Sequence, residues 1–286
     1  MTDPPKRPYG DLPPAPRAPE MSRGPGGDDP LVPADFSSWM GKIVDAVGRS
    51  WRPLILLQLV LAVPLAILLA LFEHAAGSRT GLTVTDSKVH WTFDHPGTAI
   101  GLGVGLGVVA LVVGALVQLA SLWVVIRQAA DRDCPAKLAF RFAVDRVAPL
   151  IGWQIVAGVI IVLGLVALVV PGIYFAVVLI PTLLGVVGLE RRGLRRCFEL
   201  VRGQFFALFG RCCVALLIVA AYSELDQVIV NGIFGRDATG WDVQLVASAL
   251  QLPLEVAGLA FLVITYVELR GKRVATSTAD LLAELG

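Results

Sequence analysis

PLIGWQIVAGVIIVLGLVALVVPGIYFAVVLIPTLLGVVGLERRGLRRCFELVR, residues 149–202, holds about forty apolar residues followed by a dense run of arginine. The apolar part is broken by Pro171 and Gly172. About 20 residues of helix suffice to cross ~30 Å of hydrocarbon, so this stretch is long enough for two crossings. Arg127, Arg132, Lys137, Arg141 and Arg146 precede it; Arg191, Arg192, Arg195, Arg196 and Arg202 follow it. Lys and Arg accumulate on the cytoplasmic side of membrane proteins, so both flanks face inward and an even number of crossings lies between them. Two spans joined by a very tight Val-Pro-Gly-Ile-Tyr turn satisfy this, and so does a re-entrant hairpin that never reaches the outside.

Working outward, the same reading gives six crossings, at about 53–72, 99–126, 149–170, 173–189, 208–222 and 243–267. Of the 24 basic residues, only Arg79, Lys88 and Arg236 then fall outside. With 56% hydrophobic residues, 16% charged and a mean hydropathy of +0.73, the chain carries more apolar side chain than one soluble core can hide. The expected fold class is all-α: a polytopic membrane helical bundle of six transmembrane helices, in the plasma membrane, with both termini cytoplasmic. A net charge of +1 offers no basic patch for nucleic acid, and the cations face anionic headgroups instead.

Ten of the eighteen prolines lie in the first 33 residues, so 1–34 reads as a disordered cytoplasmic tail and 35–286 as the membrane domain. Phe36, Trp39, Met40, Ile43, Val44, Val47 and Trp51 recur at helical spacing, which predicts an amphipathic helix in the inner interface ahead of the first crossing. A second is predicted where Leu194, Cys197, Phe198, Val201 and Phe205 interleave with the arginines. Trp39, Trp51, Trp123 and Trp153 fall on the inner aromatic belt; Trp91, Trp241, Tyr174 and Tyr222 fall on the outer one. Glu73 to Gly97 reads as an outer loop, as does the segment with Glu224, Asp226, Asp237 and Asp242.

Few residues carry chemistry. Glu255 sits in the middle of the sixth span, where a carboxylate faces a partner or a water-filled cavity, and is the candidate proton or cation site. Arg211, one turn inside the fifth span, is expected to snorkel to the inner headgroups. Gln58 and Gln154, with Gln118, can hydrogen-bond between helices. Gly101 and Gly105 open overlapping small-residue patterns that let another helix approach, either within the chain or from a membrane partner or second copy. His74, His90 and His95 share one loop without the convergent geometry of a metal site, and Cys134, Cys197, Cys212 and Cys213 form no paired motif. No catalytic residue, metal or cofactor is assigned.

Val169-Val170-Pro171-Gly172-Ile173-Tyr174, Glu190, Leu194-Arg195-Arg196-Cys197-Phe198-Glu199-Leu200-Val201-Arg202-Gly203-Gln204-Phe205-Phe206 and Tyr266-Val267-Glu268-Leu269-Arg270 together resemble the membrane domain found fused to some glycerophosphodiester phosphodiesterases. Free-standing relatives with Pro/Gly-rich N-terminal tails are common in actinobacteria. The resemblance covers Phe36 to the C-terminus, with Cys197 where many relatives have serine. It implies a membrane location and not an enzyme, because the hydrolase chemistry belongs to a soluble barrel and no segment here alternates strands with helices. It supplies no site residues.

The expected function is therefore a non-catalytic integral membrane protein that organises lipids or protein partners at the inner leaflet. Arg191, Arg192, Arg195, Arg196 and Arg202 are the candidate headgroup contacts. The alternative is a small transporter or permease subunit using Glu255 as a membrane-embedded acid.

Overall fold

The computed structural model describes residues 29–75, 81–85, 88–92, 96–235 and 241–285, with side chains over 29–60, 101, 103–235, 243 and 246–285. The tail before residue 29 lies outside the described residues, as do His95, Arg79 and Asp237.

Helix α1 is Phe36–Ala75. An antiparallel ladder follows, β1 (Gly81–Thr85) against β2 (Lys88–Thr92), with Gly81 opposite Thr92 and Thr85 opposite Lys88. Then come α2 (Pro96–Ala129), α3 (Ala136–Ala167) and α4 (Val169–Gly185), the last continued by a π-helical turn, Val186–Glu190. The chain ends with α5 (Leu194–Val201), α6 (Phe205–Phe234), α7 (Trp241–Gly271) and α8 (Thr278–Glu284). Five segments are long and apolar enough to cross a membrane: Gly103–Ala129, Ala136–Ala167, Val169–Glu190, Phe205–Phe234 and Val246–Gly271. The chain is a multi-pass membrane protein. The expected first crossing, 53–72, runs within α1, whose side chains beyond residue 60 lie outside the described ones.

The short ladder lies within the expected outer loop, 73–97. Three expectations need correcting. The interfacial helix and the first crossing are one helix, unbroken at Trp51 or Pro53. Helix α6 runs through Glu224 and Asp226 rather than ending at Tyr222. The end of the supposed tail is docked: Leu31 and Val32 are buried, and Asp29 accepts from the Thr278 backbone N–H at 2.8 Å and from its hydroxyl at 2.5 Å.

Helices α1, α2, α3, α4 and α7 pack in that cyclic order, and α6 lies against α7. Burial is concentrated where the basic ends of the helices meet: Leu122 and Ile126 on α2, Leu179 on α4, Leu200 on α5, Leu208 on α6, Ile264 and Val267 on α7, and Leu281 on α8 are fully enclosed. Away from this basic end the helices present bare aliphatic side chains, such as Val162, Leu163 and Val166 on α3 and Leu216, Leu217 and Val228 on α6. Water does not tolerate so much contiguous apolar surface; lipid does.

The α3–α4 hairpin turns on a single residue, Leu168, which is extended at φ −159° and ψ 137°. The break therefore comes three residues before the expected Pro171. Pro171 instead occupies the first turn of α4, where its missing N–H is one of the donors a helix leaves unpaired in any case. Gly172 is required by the close approach of the two arms: a Cβ there would stand 2.5 Å from the backbone nitrogen of Leu165.

Candidate membrane-surface site

The basic end is held by three polar groups of contacts. At the first, the π-helical turn ends α4 with Glu190, whose carboxylate accepts from Arg196 Nε at 2.7 Å and from the Tyr266 hydroxyl at 2.9 Å. Arg270, one helical turn beyond Tyr266, donates to both oxygens of Glu284 at 2.6 and 2.5 Å and to the Tyr266 hydroxyl at 3.2 Å. Bidentate pairing of this kind fixes geometry as well as charge, and it holds α8 to α7. Arg146 on α3 donates to the Gly188 carbonyl at 2.8 Å, and its guanidinium lies 3.9 Å from the centre of the Phe142 ring.

At the second, Arg211 Nη2 lies 2.6 Å from Glu268 Oε1, and Lys272 Nζ reaches the same oxygen at 2.6 Å. The Arg211 guanidinium stands over the Trp39 ring, and the Trp39 indole N–H donates to Thr265 Oγ1 at 3.2 Å. Arg211 thus does not snorkel to headgroups. It is 5% exposed, because a carboxylate on the neighbouring helix and an aromatic face are both within its reach. Trp39 likewise is enclosed rather than interfacial, packed edge-on to Phe261.

At the third, Asp29 also accepts from the backbone N–H of Leu31 and Val32, while its carbonyl accepts from Lys42 Nζ. Although burial alone would raise it, these bonds and those from Thr278 hold the Asp29 carboxyl below the usual range.

Two adjoining clefts open on this end. One, of about 320 Å³, is lined by Leu189, Glu190, Arg192, Arg196, Arg270, Val274 and Glu284; the other, of about 300 Å³, by Arg192, Gly193, Arg195, Arg196 and Glu199. Four arginines meet three carboxylates, and each carboxylate already holds a partner: Glu190 with Arg196, Glu284 with Arg270, and Glu199 with Arg195 at 3.1 Å. Arg192, which lines both clefts, makes no side-chain hydrogen bond or ion pair among the described residues. Arg191, beside it, is exposed and left-handed at φ 52°, which ends the π-helical turn. Helix α5 buries Leu194, Cys197, Leu200 and Val201 and turns Arg195 and Glu199 outward, so it is amphipathic as its spacing requires.

The expected headgroup residues therefore divide. Arg191, Arg192, Arg195 and Arg202 are exposed, whereas Arg196 is committed to Glu190 and Glu199. Of the membrane-embedded candidates, Gln154 Nε2 donates to Gln118 Oε1 at 2.8 Å, joining α3 to α2, and Gln58 is buried on α1. Glu255 is exposed on α7, without a hydrogen bond or ion pair among the described residues and away from both clefts. Gly101 and Gly105 are exposed, with nothing near their Cβ positions among the described residues. Among the described residues no group of His, Cys, Asp and Glu gathers as metal ligands.

Glu190, Tyr266, Glu268, Arg270 and Glu284 were not selected from sequence as site residues. Their signal was the helical spacing of Tyr266 to Arg270 and Glu268 to Lys272, which puts each pair on one face at the end of a span. Comparison with known protein families, with curated proteins and with solved structures gives no match for this chain.

Proposed function

We propose that this multi-pass membrane protein binds and organises anionic phospholipid at the inner leaflet and carries out no chemistry of its own. The observation that carries the reading is Arg192, a cation without a side-chain partner among the described residues, lining two clefts whose other arginines are already matched by carboxylates. Exposed Arg191, Arg195 and Arg202 extend the same face. Near an anionic surface each such cation contributes about 1 kcal/mol, and a phosphodiester bears the single negative charge that one surplus guanidinium matches. The orientation follows from the bias of Lys and Arg, and we count α1 among the membrane-embedded helices. The resemblance to the phosphodiesterase-associated membrane domain supports the same placement.

The alternative, transport through Glu255, has less support, since that carboxylate lines neither cleft and faces out of the bundle. Its exposed position would suit a second membrane chain.

The test is retention of phosphatidylglycerol against phosphatidylcholine by the purified full chain, in mixed micelles of the two. Replacing Arg191, Arg192 and Arg195 together by Gln is expected to lower retention of the anionic lipid to that of the zwitterionic one, while Glu255→Gln leaves it unchanged. Undiminished retention by the triple variant overturns the reading. Arg196 is kept, because its loss would disturb Glu190 and the fold.

A further inference from the structure

The ring of Tyr174, six residues past the turn at Leu168, lies 5.0 Å from the ring of Phe205 and 6.4 Å from that of Phe198. Phe175 meets Phe198 edge-on at 6.1 Å. Phe198 belongs to α5, the helix that carries exposed Arg195, and Phe205 opens α6 three residues after exposed Arg202. The far end of α5 is tied to the basic end as well, since Arg273 Nη2 donates to the Arg202 carbonyl. Tyr174 was expected in the outer aromatic belt and Phe205 at the inner surface. Rings in contact cannot stand on opposite faces of ~30 Å of hydrocarbon.

One of the two must move, and charge decides which. Sinking α5 toward the outer face would carry Arg195, 93% exposed at its side chain, and Glu199 into lipid without a buried partner to receive them, which membranes strongly disfavour. Helix α5 also touches both ends of α4, through Arg196 to Glu190 and through Phe198 to Tyr174. Those two ends are sixteen residues, or roughly 24 Å, apart along α4. An amphipathic helix that lies in the interface therefore has α4 lying slantwise beside it.

We infer that the α3–α4 hairpin is re-entrant: it enters from the inner face, turns at Leu168 within the hydrocarbon and returns, so that its apex is a wedge among the acyl chains of the inner leaflet. From Tyr174 the apex extends only about 9 Å further along the helix. Everything it presents there is aliphatic, with Val166, Leu168, Val169 and Val170 each more than 60% exposed, and acyl chains of the inner leaflet are the occupant that this surface and its depth fit. The arms turn without a polar residue, since the first-turn donors of α4 are reduced by Pro171 and the Gly172 N–H reaches the Leu168 carbonyl at 3.4 Å. The bundle then crosses fully through α1, α2, α6 and α7, and the parity that keeps both termini on one side is preserved. This inference rests on the sidedness of the cations but not on the headgroup site, which could fail while the wedge stood.

The experiment places a nitroxide spin label at the apex of the full chain with Cys134, Cys197, Cys212 and Cys213 replaced by Ala, reconstituted in phosphatidylcholine–phosphatidylglycerol vesicles. Labels go singly at Val166→Cys, Leu168→Cys and Val170→Cys, all exposed positions that demand no repacking. Ile233→Cys at the far end of α6 and Arg195→Cys on α5 serve as surface references. Collision with a water-soluble nickel chelate is expected to be several-fold lower at all three apex sites than at either reference, with collision with oxygen correspondingly higher. Nickel access at the apex as high as at Ile233 places the turn at the outer surface and overturns the inference. Should one apex label prevent folding, the remaining two give the same reading independently.

Discussion

Arg211 on α6 and Glu268 on α7 form an ion pair at 2.6 Å that is closed off from solvent on both sides, their side chains 6% and 1% exposed. Two charges withdrawn from water gain little net stability from each other, but Arg211 left alone is expensive, by about 3–5 kcal/mol, while Glu268 left without it keeps Lys272 at 2.6 Å and loses less. Glu268→Met is expected to lower the thermal midpoint of unfolding in detergent markedly, and Arg211→Met to lower it less. The double substitution is expected to recover most of the loss. Additive losses in the double variant, by the same melt, would show that the two residues act separately.

Gly185 faces the ring of Tyr266 so closely that a Cβ would stand 2.2 Å from it. Gly185→Ala must therefore displace either α4 or the ring, which Glu190 and Arg270 hold through its hydroxyl. A cost of about 1–3 kcal/mol is expected from such overpacking. Gly258→Ala on α7 is the control, with open space around its Cβ, and is expected to be neutral or slightly stabilising through helix propensity. Equal melting of the two variants would contradict the packing given for Tyr266.

Cys197 is fully enclosed on α5, and burial pushes its thiol up to about 11. At pH 8 its thiolate is then on the order of one part in a thousand, and access is closed as well. Alkylation of the native protein followed by peptide mass spectrometry is expected to find Cys134, which is only half-buried, modified well before Cys197. Modification of Cys197 ahead of Cys134 under native conditions would place α5 off the bundle.

Asp29 and Asp280 both sit below the ordinary carboxylate range. For Asp29, bonds from Thr278, Leu31 and Val32 outweigh the effect of burial; for Asp280 the cause is its bonds from Ser277, which complete the capping box of α8. A carboxyl whose pKa is lower folded than unfolded adds stability above the unfolded value and loses it as pH falls through the folded one. Docking of 29–32 and α8 is therefore expected to hold from neutrality to about pH 4 and to weaken below. Hydrogen exchange at Leu31 and Val32 should rise over that acid range, and Asp29→Asn should raise it already at pH 7. Exchange that is flat with pH and unaffected by the substitution would contradict the role of Asp29.

Much of the architecture was legible because lipid makes few demands and makes them strictly. Long apolar runs must be helical, and cations collect on one side, so 149–189 announced a hairpin and 191–202 an amphipathic helix. Side chains that choose between partners were not legible. Arg211 has the same local sequence whether it reaches for headgroups or for Glu268, and only the presence of Glu268 and Trp39 on neighbouring helices decides. Asp226 looked like a loop residue, yet α6 continues past it because Gln251 Nε2 on α7 stands 3.4 Å from its carboxylate and the Tyr222 hydroxyl donates to the Leu250 carbonyl at 2.5 Å.

By itself the order of residues determined that this chain lives in a bilayer, which stretches are buried in it and which ends gather the positive charge, because each follows from transfer of a local segment between water and hydrocarbon. Which arginines are spent on carboxylates and which stay free, and how deep the 149–189 hairpin reaches, depend on what stands beside each segment in space. Contacts such as Glu190 with Tyr266 and Tyr174 with Phe205 join residues far apart in the chain, so tertiary packing alone could decide them.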